Sequence, residues 1–237
     1  MAATKNNSNK TFFQKLKTFL WKAFLWFLGI SFFFVLLFKW VPVPFTPLMV
    51  TRAIEQKFAG KEMTCSHHWV PLEEISPNMQ KAVIASEDGT FLSHHGFDFT
   101  AMQKAMKNNE RGKKIKGGST ISQQTAKNVF LWQGRSYFRK GLEAYFTVLI
   151  EIVWGKERIM EVYLNSIEMG NSVYGVQAAA NYWYKTDANS LTKNQAAGIA
   201  AILPNPRKFK ASNSSSYIEK RKGKILQTMR HIGKIKY

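Results

Sequence analysis

The 237-residue sequence is poor in cysteine and in acidic residues. Its one cysteine, Cys65, has no partner within the chain, so an internal disulfide is excluded and stability has to come from packing. The 15 acidic residues stand against 34 basic ones, and the formal net charge of +19 predicts an anionic partner. Hydrophobic residues make up 45% of the chain, which excludes a disordered protein and is enough for a core.

The N-terminal part of the chain has no acidic residue before a long apolar run. Residues 23–38 (AFLWFLGISFFFVLLF) are uncharged and lie between Lys22 and Lys39, which predicts a transmembrane helix over 23–40. The five lysines of residues 1–22 predict a cytoplasmic N-terminus by the positive-inside rule, with the rest of the chain outside the cytoplasm. No small-x-small cleavage site follows the run, so an uncleaved anchor is favoured over a signal peptide.

The exported part has a prolonged helical pattern after a proline-rich spacer. The segment VPVPFTP predicts a stiff linker, placed at 41–57, before a mainly α domain over 58–237 with strand material only within 58–75. Thr192 and Gln195 have the spacing of a capping box. The exported charge of +14 (29 basic less 15 acidic residues) favours anionic lipid over nucleic acid. The predicted helices are 76–89, 99–108, 120–129, 136–153, 156–166, 173–184, 192–203 and 217–231.

Three stretches carry residues suited to chemistry, and the first is ASEDGTFLSHHGFD, residues 85–98. The sequence has no HxxxH or HExxH spacing, and the adjacent His94 and His95 cannot readily face one ion, so no metal site is expected. Glu87 lies at the predicted C-terminal end of a helix, where the negative end of the helix dipole favours binding of a proton. That position suits a general base. A solvated surface pair of Glu87 and Asp88 is the alternative.

The second stretch is KKIKGGSTISQQTAKNVF, residues 113–130. Gly118 lets the backbone approach a ligand closely, and a helix capped by Ser119 or Thr120 points its positive end the same way. One face of that helix carries a polar set at three- and four-residue spacing, Gln123, Gln124 and Lys127. The arrangement suits a phosphate, although no GxxxxGK[ST] loop is present and a plain structural turn is the alternative.

The third stretch is a helical pattern with two unlike faces. Arg139 lies four residues before Glu143, a spacing that as an ordinary helix pair stabilises by about 0.3 to 0.5 kcal/mol. The polar stripe is typical of the solvated side of a helix, but beside the other two stretches it would form a charged groove wall. The apolar stripe is Phe138, Leu142, Tyr145, Leu149 and Ile152, and the polar stripe is Lys140, Glu143, Thr147 and Glu151.

Together these stretches resemble the motif set of the peptidoglycan glycosyltransferases, in particular the monofunctional biosynthetic, membrane-anchored transglycosylases. Five motifs occur in the family's order and cover about residues 72–210. From first to fifth, the matching residues are Glu87, Asp88, Phe91, His94 and Gly96; Gly118, Ser119, Thr120, Gln123, Gln124, Lys127 and Asn128; Arg139, Lys140 and Glu143; Tyr163, Asn165, Gly170, Gly175 and Ala179; and Leu203, Pro204 and Pro206.

The resemblance implies a lysozyme-like, α-rich glycosyltransferase domain with a small jaw subdomain. It implies a single-pass protein of the bacterial cytoplasmic membrane whose partners are lipid II, the nascent glycan strand and membrane lipids. Other cell wall synthesis proteins are further candidate partners, and nucleic acid is not expected. The resemblance implies that no cofactor is required. A divalent cation (Mg²⁺ or Mn²⁺) is a candidate ligand of the pyrophosphate.

The implied reaction polymerises lipid II into β-1,4-linked glycan with inversion, and it releases undecaprenyl pyrophosphate. By resemblance Glu87 is the base for the acceptor 4-hydroxyl, and Glu143 orients nearby cations or helps the pyrophosphate depart. The cations implied to hold the pyrophosphate are Lys127, Arg135, Arg139 and Lys140. The other residues implied to bind substrate are Asp88, Phe91, His94, Gly118, Ser119, Thr120, Gln123, Gln124 and Asn165.

Two other functions stay open at this point. A lytic glycosidase also uses paired carboxylates on glycan, but it needs a protonated acid for its alcohol leaving group and has no use for a cation cluster. A non-catalytic anchored scaffold would bind anionic lipid through charge alone. Replacement of Glu87 by Gln distinguishes the scaffold from the transferase, because the scaffold does not need that carboxylate.

Overall fold

The structure is a computed structural model that describes residues 3–110, 118–134 and 136–237. The chain divides into two compact units, Met1–Val41 and Pro42–Tyr237. Helices dominate both units, which confirms the mainly α prediction. The α-helices are α1 (Ala3–Leu37), α2 (Pro47–Phe58), α3 (Pro77–Glu87), α4 (Phe99–Glu110), α5 (Ile121–Phe130), α6 (Tyr137–Val153), α7 (Gly155–Ser166), α8 (Val176–Tyr184), α9 (Lys193–Ile202) and α10 (Ser216–Met229), with short 3₁₀ helices at Leu72–Glu74 and Ala188–Ser190.

The first unit is a single long helix, α1. Its segment Phe12–Leu37, 26 residues, is apolar and long enough to cross a membrane, as the sequence predicted in part. At 1.5 Å rise per residue it covers about 39 Å, which exceeds a hydrocarbon core of about 30 Å. The helix begins well before the expected start at residue 23, and apolar residues from Phe12 to Leu20 extend its apolar surface beyond Lys22. It ends at Leu37, before the expected end at residue 40.

The second unit opens with a helix where the sequence suggested a linker without secondary structure. Thr46 caps α2 through a hydrogen bond from the backbone N of Met49 (3.3 Å), and Pro47 occupies the first helical position, where its missing N–H costs nothing. Leu48 and Met49 are buried against Tyr174. Pro47, the last residue of the predicted spacer segment VPVPFTP, is therefore the first residue of a helix.

A small three-stranded sheet lies between helices of the second unit. Strand β1 (Ser66–His67) pairs in parallel with β3 (Val173–Tyr174), and β3 pairs antiparallel with β2 (Glu168–Gly170). The expectation that strands occur only within 58–75 is wrong, because β2 and β3 form in the segment predicted as loop and helix start. The side chain of Asn165 holds the segment that follows β1. Its amide donates a hydrogen bond to the carbonyl of Val70, and its Oδ1 accepts one from the N–H of Val70.

The remaining helices form two packed groups. In one, α9 packs against α3 and α10, and in the other, α5 packs against α6 and α7. Helix α9 has the sequence KNQAAGIAAI, whose small side chains allow close approach of its neighbours. A Cβ on Gly198 would lie 2.3 Å from the hydroxyl of Tyr184, so only glycine fits there. The predicted capping box of Thr192 and Gln195 is present at the start of α9.

Candidate active site

Glu87 is the last residue of α3, as the sequence predicted, and its carboxylate is held by three neighbouring groups. The hydroxyl of Ser86 donates to Oε1 (2.8 Å), and the guanidinium of Arg221 lies 3.5 Å from the same oxygen. The amide of Gln124 donates to Oε2 (3.3 Å). The carboxylate is half-buried at the point where α3, α5 and α10 meet, which is unlike the solvated surface pair considered as the alternative.

Asp88 joins the end of α3 to the start of α5. Its Oδ2 accepts from the backbone N–H of Ile121 (2.9 Å) and from Nε2 of His94 (2.9 Å). A carboxylate at the first turn of α5 is favourably placed, since unpaired N–H groups give that helix end positive character. His94 therefore shapes the loop through Asp88. No group of three or more His, Cys, Asp and Glu side chains suited to a metal ion occurs in the described ranges.

The loop between α3 and α4 is fixed by a glycine and a threonine. Gly96 has φ +87°, and a Cβ there would lie 2.8 Å from Cγ2 of Thr147 on α6. The hydroxyl of Thr120 donates to the carbonyl of Gly96 (2.6 Å). Only glycine combines this backbone conformation with this close approach. The loop that follows Glu87 is thus clamped between α5 and α6.

Helix α5 carries the polar face that the sequence predicted. Thr120 and Gln123 form its capping box, with Thr120 N donating to Oε1 of Gln123 (3.0 Å). Gln124 contacts Glu87, and Lys127 follows one turn later on the same face. Three residues of helix advance by about 4.5 Å. Helix α5 therefore places Gln124, which contacts Glu87, and Lys127 within one turn of each other.

Helix α6 presents its charged stripe to the interior. Nη1 of Arg139 lies 2.6 Å from Oε2 of Glu143, and Nζ of Lys140 pairs with Oε1 of the same carboxylate. The Glu143 side chain is 3% exposed, whereas that of Lys140 is 44% exposed. The structure thus supports a charged wall and contradicts a solvated stripe. Since both carboxylate oxygens are taken by cations, Glu143 is placed to orient them.

Lys127 lies close enough to this charged cluster for the charges to interact. Burial lowers the pKa of Lys127, while the Glu143 carboxylate opposes the shift and the cations of Arg139 and Lys140 add to it. Three cations thus face a single carboxylate, so the cluster of Lys127, Arg139, Lys140 and Glu143 has an uncompensated positive charge. Preorganised cations of this kind stabilise developing negative charge on oxygen, as on a departing pyrophosphate.

The predicted apolar stripe of α6 is exposed at its two ends, while the helix buries Phe146 and Ile150 together with its charged residues. Phe138 is 72% exposed and Ile152 is 75% exposed, with Val148 also on the surface. Trp132, just before α6, extends this apolar surface, since its ring centroid lies 6.4 Å from that of Phe138. We call the exposed side chains of Trp132, Tyr137, Phe138, Val148 and Ile152 the α6 apolar surface. Contiguous surfaces of this kind mark contacts with proteins or membranes.

Several residues expected to bind substrate instead support the site. Phe91 and Asn165 are fully buried, Phe91 beneath the ammonium of Lys156 (4.6 Å from the ring centroid) and Asn165 in its hydrogen bonds to Val70. Thr120 and Gln123 are buried in their capping box. These four side chains therefore have partners within the protein, and a role for them in binding substrate stays a prediction. Gly118, Ser119, Gln124 and Lys127 keep partial exposure, and Arg135 lies outside the described residues.

Three groups at the site carried no sequence signal of a functional role. Ser86 and Arg221 contact the Glu87 carboxylate, and the buried Tyr163 hydroxyl donates to Oε1 of Gln124 (3.5 Å). Tyr163 matched a motif, but no role followed from that match. Arg221 lies in a basic helix of ordinary appearance, and its contact depends on the packing of α10 against α3.

Comparison with known proteins agrees with the motifs. The family model described as Transglycosylase matches residues 55–230. A biosynthetic peptidoglycan transglycosylase of Pseudomonas syringae pv. syringae (strain B728a) is 53% identical over 216 residues, which are 91% of this chain and 92% of the relative. A protein of the same name from Bdellovibrio bacteriovorus is 54% identical over 213 residues (90% and 85%), and one from Caulobacter vibrioides is 56% identical over 191 residues (81% of each). The chain belongs to the transglycosylase family, the peptidoglycan glycosyltransferases that its five motifs indicated.

Proposed function

We propose that the protein polymerises lipid II into β-1,4-linked glycan strands of the bacterial cell wall and releases undecaprenyl pyrophosphate. The observation that supports this most directly is the spacing along α5. A carboxylate able to take a proton contacts Gln124, and a cation cluster begins at Lys127, one turn further on. Transfer of a sugar from a pyrophosphate to a hydroxyl needs a base for the hydroxyl proton and cations for the leaving group.

In the proposed reaction Glu87 accepts the proton of the acceptor 4-hydroxyl. The hydroxyl oxygen forms a bond to the anomeric carbon of the donor, and the bond from that carbon to the pyrophosphate oxygen breaks with its electron pair. Lys127, Arg139 and Lys140 stabilise the charge that develops on the leaving group. A single displacement opposite an α-linked pyrophosphate gives the β-linkage. No protonated acid is needed, because a pyrophosphate leaves as an anion.

Glu143 acts in this scheme by positioning the cations. Its carboxylate is almost fully buried, and both oxygens are engaged by Arg139 and Lys140. Neither oxygen has a free approach to a substrate in this arrangement. The polar groups that keep partial exposure, Ser119 and Gln124, are the proposed hydrogen-bond donors to the substrate. Arg135 is proposed to add a further cation, from the family resemblance alone.

The reaction is proposed to take place at the outer face of the cytoplasmic membrane. The apolar segment Phe12–Leu37 fits a single-pass anchor, and the lysines of residues 1–22 favour a cytoplasmic N-terminus. The α6 apolar surface suits the boundary between lipid headgroups and acyl chains, because its aromatic side chains are amphipathic or apolar. Lipid II, the glycan strand and membrane lipids are thus the proposed partners, with other cell wall synthesis proteins as candidates.

The proposed reaction requires no resident cofactor. The leaving group meets fixed cations of the protein, which supply the charge that a metal ion supplies in many phosphate sites. A divalent cation such as Mg²⁺ or Mn²⁺ would enter with the pyrophosphate as part of the substrate. Activity of the purified protein in the presence and absence of a chelator tests this requirement.

Polymerisation of purified lipid II by the detergent-solubilised full chain tests the function. Glycan chains and released polyprenyl pyrophosphate are measured for the wild type, for Glu87→Gln and for Glu74→Gln, an exposed glutamate of the same domain. We expect polymer from the wild type and the control, and a loss of about 10²-fold or more in Glu87→Gln. Cleavage of preformed glycan without use of lipid II would instead indicate a glycosidase. Neither activity would indicate a scaffold.

A further inference from the structure

The C-terminal helix brings a cation to the Glu87 carboxylate. Nη2 of Arg221, on α10, donates to Oγ of Ser86 (3.0 Å) and lies 3.5 Å from Oε1 of Glu87. The Arg221 side chain is mostly buried, because α10 packs against both α3 and α9. Arg221 is distant in sequence from the five motifs, so its place beside Glu87 is a property of the fold.

Ser86 transmits the effect of Arg221 to the carboxylate. Its hydroxyl has two acceptors within reach, Oε1 of Glu87 (2.8 Å) and the carbonyl of Ala200 (3.2 Å), but a hydroxyl carries a single proton. The hydrogen bond from Arg221 occupies a lone pair of Ser86 and makes its proton a stronger donor. The shorter contact, to the charged acceptor, is then the one that the proton takes.

The two oxygens of Glu87 are consequently unequal. Oε1 receives the Ser86 hydroxyl and faces Arg221, whereas Oε2 receives one long hydrogen bond from Gln124 (3.3 Å). Gln124 is itself held by Tyr163, whose pKa is raised well above its usual value by burial, with the Glu87 and Asp88 carboxylates adding to the rise, so its hydroxyl stays protonated. A loosely held oxygen is the better placed of the two to accept a substrate proton.

We propose that Arg221, acting through Ser86, is a positioning residue that holds Oε1 of Glu87 and so presents Oε2 to the acceptor hydroxyl. The inference rests on the proposed role of Glu87 as the base and adds to it the residue that orients that base. Arg221 does not touch the reacting atoms in this arrangement. Its contribution is to fix one rotamer of the Glu87 carboxylate.

The test compares four variants of the full chain in detergent with lipid II as substrate. Arg221→Gln removes the cation, Arg221→Lys keeps the charge but not the planar donor, and Ser86→Ala removes the relay. Lys222→Gln is the matched control, since Lys222 neighbours Arg221 on α10 but pairs with Glu219 (3.5 Å). Thermal unfolding of each variant reports whether the fold is kept.

We expect Arg221→Gln and Ser86→Ala to lower kcat by about ten- to a hundredfold with KM for lipid II within about twofold, because orientation of the base matters in the transition state. Arg221→Lys should recover part of the loss, and Lys222→Gln should behave as the wild type. The acidic limb of the pH–rate profile should move to higher pH in Arg221→Gln.

The charged and titratable groups around Glu87 make this pH readout interpretable. In the described part of the chain Arg221 faces it from α10 and Tyr163 from α7, while Asp88 adjoins it. Helix α5 offers the uncharged Gln124, and α9 offers the carbonyl of Ala200 to Ser86. Removal of Arg221 therefore removes the one cation among these groups, and Ser86→Ala, which leaves Arg221 in place, should shift the limb less.

Three results would overturn the inference. A raised KM with unchanged kcat in Arg221→Gln would mean that Arg221 binds substrate, and wild-type kinetics in both variants would mean an idle contact. A loss of activity that matches the loss of folded protein would mean a structural role; if Arg221→Gln does not fold, Ser86→Ala decides. Glu87→Gln separates the two proposals: if it stays active, the base is wrongly assigned, whereas if it is inactive and Ser86→Ala is normal, only the positioning role fails.

Discussion

Helices α6 and α9 are both rich in apolar residues, yet they differ in the side chains that they bury. Helix α9 buries Ile199 and its alanines, as its small apolar sequence predicts. Helix α6 buries charged and polar side chains beside apolar ones and leaves two large apolar residues, Phe138 and Ile152, exposed. Its buried residues are Arg139, Glu143, Phe146, Thr147 and Ile150. The spacing of apolar residues thus predicts both helices, but it predicts the buried face correctly only for α9. The difference teaches that burial in α6 follows the ion pairs of the candidate site as well as apolar spacing.

The largest effect that would test this contrast is expected from the buried carboxylate of α6. Glu143→Gln leaves the Arg139 and Lys140 cations without their partner, and breaking a buried pair in this way costs about 3 kcal/mol or more. The free energy of unfolding from urea denaturation checks this value. A cost below about 0.5 kcal/mol, typical of surface changes, would mean that the pair is solvated after all.

A matched pair of isoleucines gives the next largest effect. Ile199→Ala in α9 deletes fully buried methyl groups and is expected to cost about 2 to 4 kcal/mol, whereas Ile152→Ala in α6, at a 75% exposed position, should cost about 0.5 kcal/mol or less. The two variants differ only in the site of the same truncation. Equal losses in denaturant melts would contradict the exposed position of Ile152 on α6.

Labelling tests whether lipid covers the α6 apolar surface. A fluorophore is attached at Phe138→Cys in a Cys65→Ser background. Its quenching by aqueous iodide should fall severalfold when the full chain is in lipid nanodiscs, because the surface enters the headgroup region. The same label at Lys224→Cys, on the exposed side of α10, is the control. Equal quenching at both positions would argue against a membrane contact.

The smallest expected effect concerns the pH at which the cation cluster loses charge. Burial lowers the pKa of Lys127 from 10.5, so its charge is complete below the lowered pKa and is lost as pH rises through it. Lys127→Arg stays charged there, since arginine keeps its proton to above pH 12. The alkaline limb of the lipid II polymerisation rate should therefore move to higher pH. Lys140→Arg, at a half-exposed position, should leave the limb in place.

Much of the helical architecture was predictable from local signals. The predicted helices between residues 99 and 231 agree with the structure to within three residues at each end, because caps and apolar spacing are local. Ser76 and Thr192 cap their helices as expected. Helix α2 is not predicted by its local sequence, because three prolines in VPVPFTP favour an extended spacer, although the first position of a helix accepts proline.

The unpredicted features depend on contacts between distant parts of the chain. Strands β2 and β3 are two or three residues long, too short for a period-two pattern, and they exist through pairing with each other and with β1. The place of Arg221 depends in the same way on the packing of α10 against α3. The motifs gave Glu87 and the Lys127 cluster by resemblance, but which of the matched residues face solvent required the fold.

Helix α5 also constrains how this protein can vary. Because Gln124 and Lys127 share one face of a regular helix, a single residue inserted between them would turn the lysine by about 100° and carry it away from Glu143. Substitutions elsewhere on the helix leave that geometry intact. We therefore infer that the length of this segment is held more strictly than its composition, so that natural variation and engineering can change the residues of α5 but not their number.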